Sequence, residues 1–195
     1  MADKIRVMVV DDHAIVREGI KALLELQEGI DVVAESSSGM ECLDTLEKVN
    51  PDVILMDLKM PGIDGIEATR LVKEHNPRIK VVLLTNYDEE AYILESIKAH
   101  ANGYVLKDIN KGDLPKIITG VMQNRDFIDP GVTQKLFHSI RHPATTEQKN
   151  AFRPILSHRE FQILTHIVEG STNKEIAETV NLSPDTVKSL SLIHI

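Results

Sequence analysis

The sequence predicts an open, doubly wound α/β sheet followed by a small all-α unit. Three observations carry that prediction: five short apolar runs at regular intervals, helix-period spacing between them, and a change of rhythm after Asp126. The runs cover residues 5–10, 32–34, 53–56, 79–84 and 104–106. Each is too short for a helix. Their near-continuous apolar character, without alternation, suits strands covered on both faces, as in a parallel sheet. Between them Val16, Ile20 and Leu23, and later Leu114, Ile117, Ile118 and Val121, recur at the spacing of one helix face. Strand and helix therefore alternate as a (βα)5 unit over roughly residues 4–125, which demands right-handed crossovers in an open sheet.

After Asp126 the pattern is helical. Val132, Leu136 and Ile140 share a face, and the polar stretch 142–150 that follows reads as a linker. Three short helices are expected beyond it. Ser157 with Glu160 makes a capping box opening the first, which carries Phe161, Leu164, Ile167 and Val168 and stops at Gly170. The second spans about 173–180. The third starts with Ser183 as N-cap and Pro184 in the first turn. The expected division is a first domain over 1–125, a linker containing a helix over 126–153, and an incomplete helix-turn-helix domain over 154–195.

A chain of 195 residues has room for one ordinary domain and a small one, or for one large domain. No run of 18 apolar residues and no basic-then-apolar leader is present, so the expectation is a cytoplasmic protein without a membrane anchor. Cys42 is the only cysteine, which excludes an internal disulfide and a multi-cysteine zinc site. The net charge of −8 is unevenly spread. Residues 1–130 hold 15 Lys and Arg against 24 Asp and Glu, and residues 151–195 hold 4 against 5. The acidity belongs to the first domain, and any case for DNA binding by the second must rest on its motif.

Function in an open α/β sheet gathers beyond the carboxyl ends of the strands, at the switch point of strand order. Asp11 and Asp12 close the first strand, and Asp57 closes the third. In the flavodoxin-like order 2-1-3-4-5 those strands are neighbours, so three carboxylates converge. Their mutual repulsion calls for a cation, and an all-oxygen site with open water positions suits Mg2+. Thr85 and Lys107 end the fourth and fifth strands at the same edge. A hydroxyl and an ammonium facing a carboxylate site are what the spare oxygens of a phosphoryl group require, which points to phosphoryl transfer onto a carboxylate. Taken singly, Asp12 reads more readily as a helix cap, Lys107 as a solvated lysine and Tyr104 as a strand aromatic. None of the eight histidines shows metal-ligand spacing, and no phosphate-cradling glycine loop is present.

Val9-Val10-Asp11-Asp12-His13, Leu55-Met56-Asp57-Leu58-Lys59-Met60-Pro61-Gly62-Ile63-Asp64-Gly65, Leu84-Thr85-Asn86-Tyr87 and Gly103-Tyr104-Val105-Leu106-Lys107-Asp108 together resemble the receiver domain of NarL/FixJ-family response regulators. That resemblance implies that Asp57 takes a phosphoryl group from a sensor histidine kinase. It implies that Asp11, Asp12, Asp57 and the Lys59 backbone carbonyl hold Mg2+, and that Lys107 pairs with a phosphoryl oxygen. Thr85 and Tyr104 become the switch, the hydroxyl bonding the phosphoryl group and the ring following by a change of rotamer.

A second resemblance is to the LuxR-type helix-turn-helix. It rests on Leu156-Ser157-His158-Arg159-Glu160, Glu169-Gly170-Ser171-Thr172-Asn173-Lys174-Glu175-Ile176-Ala177 and Leu182-Ser183-Pro184-Asp185-Thr186-Val187-Lys188. It implies that Thr186, Val187 and Lys188 lie along promoter DNA, that Lys174 meets a phosphate, and that the phosphorylated protein dimerises. From residue 190 the sequence departs from the family pattern, so a truncated domain with weak DNA affinity is expected. The competing reading is a receiver acting through protein contacts alone. A metabolic phosphatase is disfavoured because Lys59 stands where such enzymes carry a second aspartate, leaving only self-phosphorylation and self-dephosphorylation.

Overall fold

The computed structural model describes residues 4–88, 90–110, 112–141, 166 and 172–180. The chain divides into two compact units, residues 1–127 and 128–195.

In the first unit strands β1 (Ile5–Val10), β2 (Ile30–Ser36), β3 (Val53–Asp57), β4 (Lys80–Thr85) and β5 (Gly103–Leu106) alternate with helices α1 (Ala14–Glu25), α2 (Gly39–Val49), α3 (Gly65–His75), α4 (Glu90–Lys98) and α5 (Leu114–Met122). The order across the sheet is β2-β1-β3-β4-β5-β6, and the four pairings from β2 to β5 are parallel. The expected order of the first five strands holds. The sixth, β6 (Phe127–Ile128), is an edge strand beyond the five expected. Two residues offer no apolar run to read. The strand forms because the Phe127 N–H donates to the Asn102 carbonyl at the start of β5.

Both faces of the sheet are covered, which explains the absence of polar alternation in its strands. Val7, Val9, Val53, Leu55, Val82, Leu84 and Val105 pack with Leu24 of α1 and with Leu114, Ile117, Ile118 and Val121 of α5. The opposite parity, Met8, Val10, Ile54, Met56, Val81 and Leu83, is equally buried, and the Cys42 thiol of α2 lies 3.9 Å from the Met8 sulfur. Burial pushes that thiol up to about 12, so Cys42 is an inert core residue.

Register carries the sheet to the site. Val10 pairs with Met56, Asp57 with Leu84, and Thr85 with Leu106, so β1, β3, β4 and β5 end at one level. The Lys107 N–H donates to the Thr85 carbonyl at 2.8 Å, extending the β5 ladder by one residue. Gly65 at the start of α3 lies against the end of β3: a Cβ there would collide with the Asp57 carbonyl oxygen, so only glycine fits. The Asp64 carboxylate caps α3 by accepting from the Glu67 N–H at 2.9 Å.

In the second unit, α6 (Pro130–Arg141) covers the expected helix through Val132. A further helix, α7 (Asn173–Val180), matches the expected second helix of the three. Thr172 and Glu175 form a reciprocal cap on it: the carboxylate accepts from the Thr172 N–H at 2.7 Å and hydroxyl at 2.8 Å. Ile176 and Ala177 are buried while Lys174, Glu175 and Thr179 are exposed, as an amphipathic helix requires. The linker 142–153, the helices opened by Ser157 and Ser183, and Thr186, Val187 and Lys188 lie outside the described residues. Among the described residues, no helix is long and apolar enough to cross a membrane.

Candidate functional site

The site is built from the four strand ends. Asp11 follows β1 and is 1% exposed, and Asp57 is the last residue of β3 at 5%. Lys107, directly after β5, reaches back over the sheet edge and joins them: its Nζ lies 2.7 Å from Asp11 Oδ2 and 2.7 Å from Asp57 Oδ1. One ammonium thus holds two buried carboxylates in contact range of a single centre. Thr85, fully buried, ends β4 on the same rim.

Electrostatics follow from that geometry. Burial pushes the Asp57 carboxyl above the usual carboxylate range. The Lys107 ion pair opposes the rise, and the charges of Asp11 and Asp12 add to it. For Lys107 burial pulls downward, but the hydrogen bonds to Asp11 and Asp57 and their charges outweigh it, leaving the ammonium above its ordinary value. Lys107 therefore stays a cation and acts as a fixed positive charge rather than a proton donor.

Asp12 departs from the helix-cap alternative. The N-cap of α1 is His13, whose side chain makes no capping bond, while the buried Oδ1 of Asp12 has no hydrogen-bond partner. A buried anionic oxygen without a donor is costly unless an ion meets it. His13, absent from the expected site, sits beside it: Nδ1 is 2.7 Å from Asp12 Oδ1, outside hydrogen-bonding geometry, and 3.2 Å from Asp11 Oδ1. Asp11, Asp12 and His13 each present one donor atom within 4.8 Å of the others. These residues fit a divalent cation. Asp57 is not part of that three-donor group, and its Oδ1 meets the Lys107 ammonium at 2.7 Å. Only the immediate succession of Asp11, Asp12 and His13 could have signalled the group. The Arg17 guanidinium, also not anticipated, donates to the Asp11 carbonyl at 2.6 Å and fixes the turn.

The β4–α4 loop is tied to the site by a short chain of bonds. The Tyr87 N–H donates to Thr85 Oγ1 at 3.0 Å, and the Tyr104 hydroxyl donates to the Tyr87 carbonyl at 2.7 Å. Tyr104 is buried, so its ring is turned inward. Lys59 places its ammonium 4.2 Å from the centre of the Tyr92 ring and 5.9 Å from that of Tyr87, and these two rings meet edge to face at 5.7 Å. The Lys59 side chain is thereby engaged away from the carboxylates. Lys174 is exposed in the first turn of α7.

Residues 7–119 match the response regulator receiver domain, and residues 154–190 match the luxR family of bacterial regulatory proteins. Among curated proteins the chain is similar to the transcriptional regulatory protein DegU of Brevibacillus brevis, 34% identical over 96% of this chain and 84% of that one. It is also similar to the response regulator GacA of Pseudomonas viridiflava, 38% identical over 95% and 85%. Among solved structures, a LuxR-family two-component response regulator from Aurantimonas sp. SI85-9A1 superposes with a TM-score of 0.67 at 34% identity, over 70% of this chain and 98% of that chain. The response regulator RcsB in its complex with DNA superposes with a TM-score of 0.65 at 29% identity, over 96% and 88%. The converging strand ends and these matches over both units lead to one conclusion: the chain belongs to the two-component response regulators that join a receiver domain to a LuxR-type DNA-binding domain.

Proposed function

We propose that Asp57 is the phosphoacceptor of a cytoplasmic transcription factor. A carboxylate oxygen of Asp57 attacks the phosphorus of a phosphohistidine on a sensor histidine kinase, an O–P bond forms, the P–N bond breaks, and the imidazole leaves with the bonding pair. Lys107 stands as a permanent cation beside the acceptor, able to release one carboxylate and take a phosphoryl oxygen instead. Asp11, Asp12, Asp57 and the Lys59 backbone carbonyl are the proposed ligands of Mg2+, which when bound neutralises the charge of the phosphoryl oxygens. Apart from its own phosphorylation and dephosphorylation, the receiver catalyses nothing in this reading.

Thr85 accepts from the Tyr87 N–H and keeps its hydroxyl hydrogen to donate. Donating it to the phosphoryl group draws the loop inward and disturbs the bond that holds Tyr104 through the Tyr87 carbonyl. The face of α4, β5 and α5 then repacks, the protein pairs as a homodimer, and promoter DNA is bound with Lys174 on a phosphate and Thr186, Val187 and Lys188 along the groove.

The observation carrying this reading is the single ammonium of Lys107 held 2.7 Å from each of two buried carboxylates, Asp11 and Asp57. Incubation with acetyl phosphate, with and without Mg2+, followed by intact-mass measurement, tests it. The wild type is expected to gain one base-labile phosphoryl group only with the cation, and Asp57→Ala none. A modified Asp57→Ala protein, or a wild type that stays unmodified, overturns it.

A further inference from the structure

The two tyrosines that meet the Lys59 side chain carry an inference that deepens the proposed cation site and rests on it. We infer that Tyr92 is a positioning residue for phosphoryl transfer: the face of its ring parks the Lys59 ammonium outside the carboxylate crevice and leaves that crevice to the divalent cation.

The place of Lys59 raises the need. It stands two residues after Asp57, on a flexible four-carbon stem that can turn toward any nearby anion. Anions are close at hand. Lys107 is bonded to Asp11 and Asp57, while a buried oxygen of Asp12 has no hydrogen bond. A second ammonium drawn among these carboxylates would neutralise the charge on which a divalent cation depends.

Geometry shows where the ammonium goes instead. Lys59 Nζ lies 4.2 Å from the centre of the Tyr92 ring and 5.9 Å from that of Tyr87. A ring face attracts a cation out to about 6 Å, so Tyr92 is well inside that range and Tyr87 is at its limit. Tyr92 is also the foremost group acting on the ammonium, ahead of Asp64 and Tyr87.

The parking place is itself held. The two rings meet edge to face at 5.7 Å with 66° between their planes, so each fixes the orientation of the other. Tyr92 belongs to the first turn of α4, and Tyr87 is bonded at its N–H to Thr85 and at its carbonyl to Tyr104. The rings therefore stand on segments other than the one that carries Lys59, and they can restrain it from outside.

The test uses the unphosphorylated full chain with MgCl2 alone at low salt, followed by amide shifts in proton–nitrogen spectra. Tyr92→Leu is expected to weaken Mg2+ binding by about two- to fivefold, the size that an exposed cation–ring contact carries. Tyr92→Phe keeps the ring and is expected to bind as the wild type does. In a Lys59→Met background Tyr92→Leu is expected to have no effect, because the competing ammonium is gone. Phosphorylation by acetyl phosphate should divide in the same way: the half-saturating Mg2+ concentration rises in Tyr92→Leu by that factor, while the rate at saturating Mg2+ stays at the wild-type value. A loss of packing alone would not produce this split. Thermal melting of the metal-free proteins identifies the folded variants, and Tyr92→Gln replaces Tyr92→Leu if the latter does not melt cooperatively. In the wild type itself the Lys59 ε-methylene protons are expected upfield of those of an exposed lysine, and an ordinary shift there overturns the parking contact. Unchanged Mg2+ affinity in Tyr92→Leu, an equal loss in Tyr92→Phe, or the same loss with Lys59→Met present overturns the role of Tyr92 alone, provided the wild type binds Mg2+ and gains its phosphoryl group. A wild type that binds no Mg2+ overturns it together with the cation site beneath it.

Discussion

The two rims of the sheet are both polar and both half-buried, yet they are wired in opposite ways. At the amino ends of β4, β5 and β6, polar side chains are joined in a network of hydrogen bonds. Lys73 donates to the Ile79 carbonyl at 2.7 Å and to Asn102 Oδ1 at 2.6 Å. Asn102 also accepts from the Val81 N–H and donates to Asp126, while Lys80 donates to Asn124. At the carboxyl ends, Asp11 and Asp57 share the one ammonium of Lys107, and Asp12 keeps an oxygen with no hydrogen bond. The first rim is a closed network that can only hold. The second is short of positive charge and short of donors, and it is there that an added ion or phosphoryl group changes the energy most. The comparison teaches where to look in a fold of this kind: at the rim whose polar groups do not balance.

The sharpest way to break this comparison is at Lys107. Lys107→Met leaves Asp11 and Asp57 facing each other without their shared cation and is expected to cost about 3 kcal/mol of stability in urea unfolding. Adding Asp57→Asn should recover much of that loss. If the double variant is no more stable than the single one, the crivice is not limited by carboxylate repulsion. Gly65→Ala is expected to cost about 2 kcal/mol, since a methyl must displace the Asp57 backbone, and to slow phosphorylation by acetyl phosphate as well. A variant of wild-type stability would mean that the contact yields freely.

Asn102→Ala should cost about 1 to 2 kcal/mol by stripping partners from the opposite rim, while the phosphorylation rate stays at the wild-type value. Asp57→Asn should do the reverse, abolishing phosphorylation and raising the melting temperature at neutral pH. The sign follows from burial: the folded state raises the Asp57 pKa, so ionisation costs stability as pH climbs through it, and the amide escapes that cost.

The smallest effect belongs to Lys73. Burial, with the Lys80 charge adding to it, pulls Lys73 down to about 8 from an ordinary 10.5. The unfolded chain therefore holds this proton more tightly between those two values, and stability contributed by this group rises with pH across that window. Melting curves from pH 8 to pH 10.5 should show a shallower rise for Lys73→Met than for the wild type.

The sheet was legible because burial on both faces leaves an unbroken apolar run for each central strand, and because helix periodicity between the runs is independent of tertiary contacts. β6 escaped because its cause is one backbone bond to Asn102, which no local pattern encodes. Among the site residues, strand ends marked Asp11, Asp57, Thr85 and Lys107, and register does the rest. Two relations could not be read. That Lys107 bonds Asp11 as well as Asp57 depends on a side chain crossing two strands, and the approach of His13 depends on the turn that Arg17 fixes. Spacing rules for histidines give no weight to one that directly follows two carboxylates and meets them through a turn. Lys59 shows the same limit, since its ammonium goes to Tyr92, which follows it by 33 positions.

The missing methyl at Gly65 also determines which wall of the crevice can answer a new group. With helix and strand touching backbone to backbone, the acceptor side works as an anvil and cannot recoil. The opposite wall hangs on two successive links, Tyr87 to Thr85 and Tyr104 to Tyr87. Any push delivered at Asp57 is therefore spent on the tyrosine side, and the direction of the signal is set by one absent carbon.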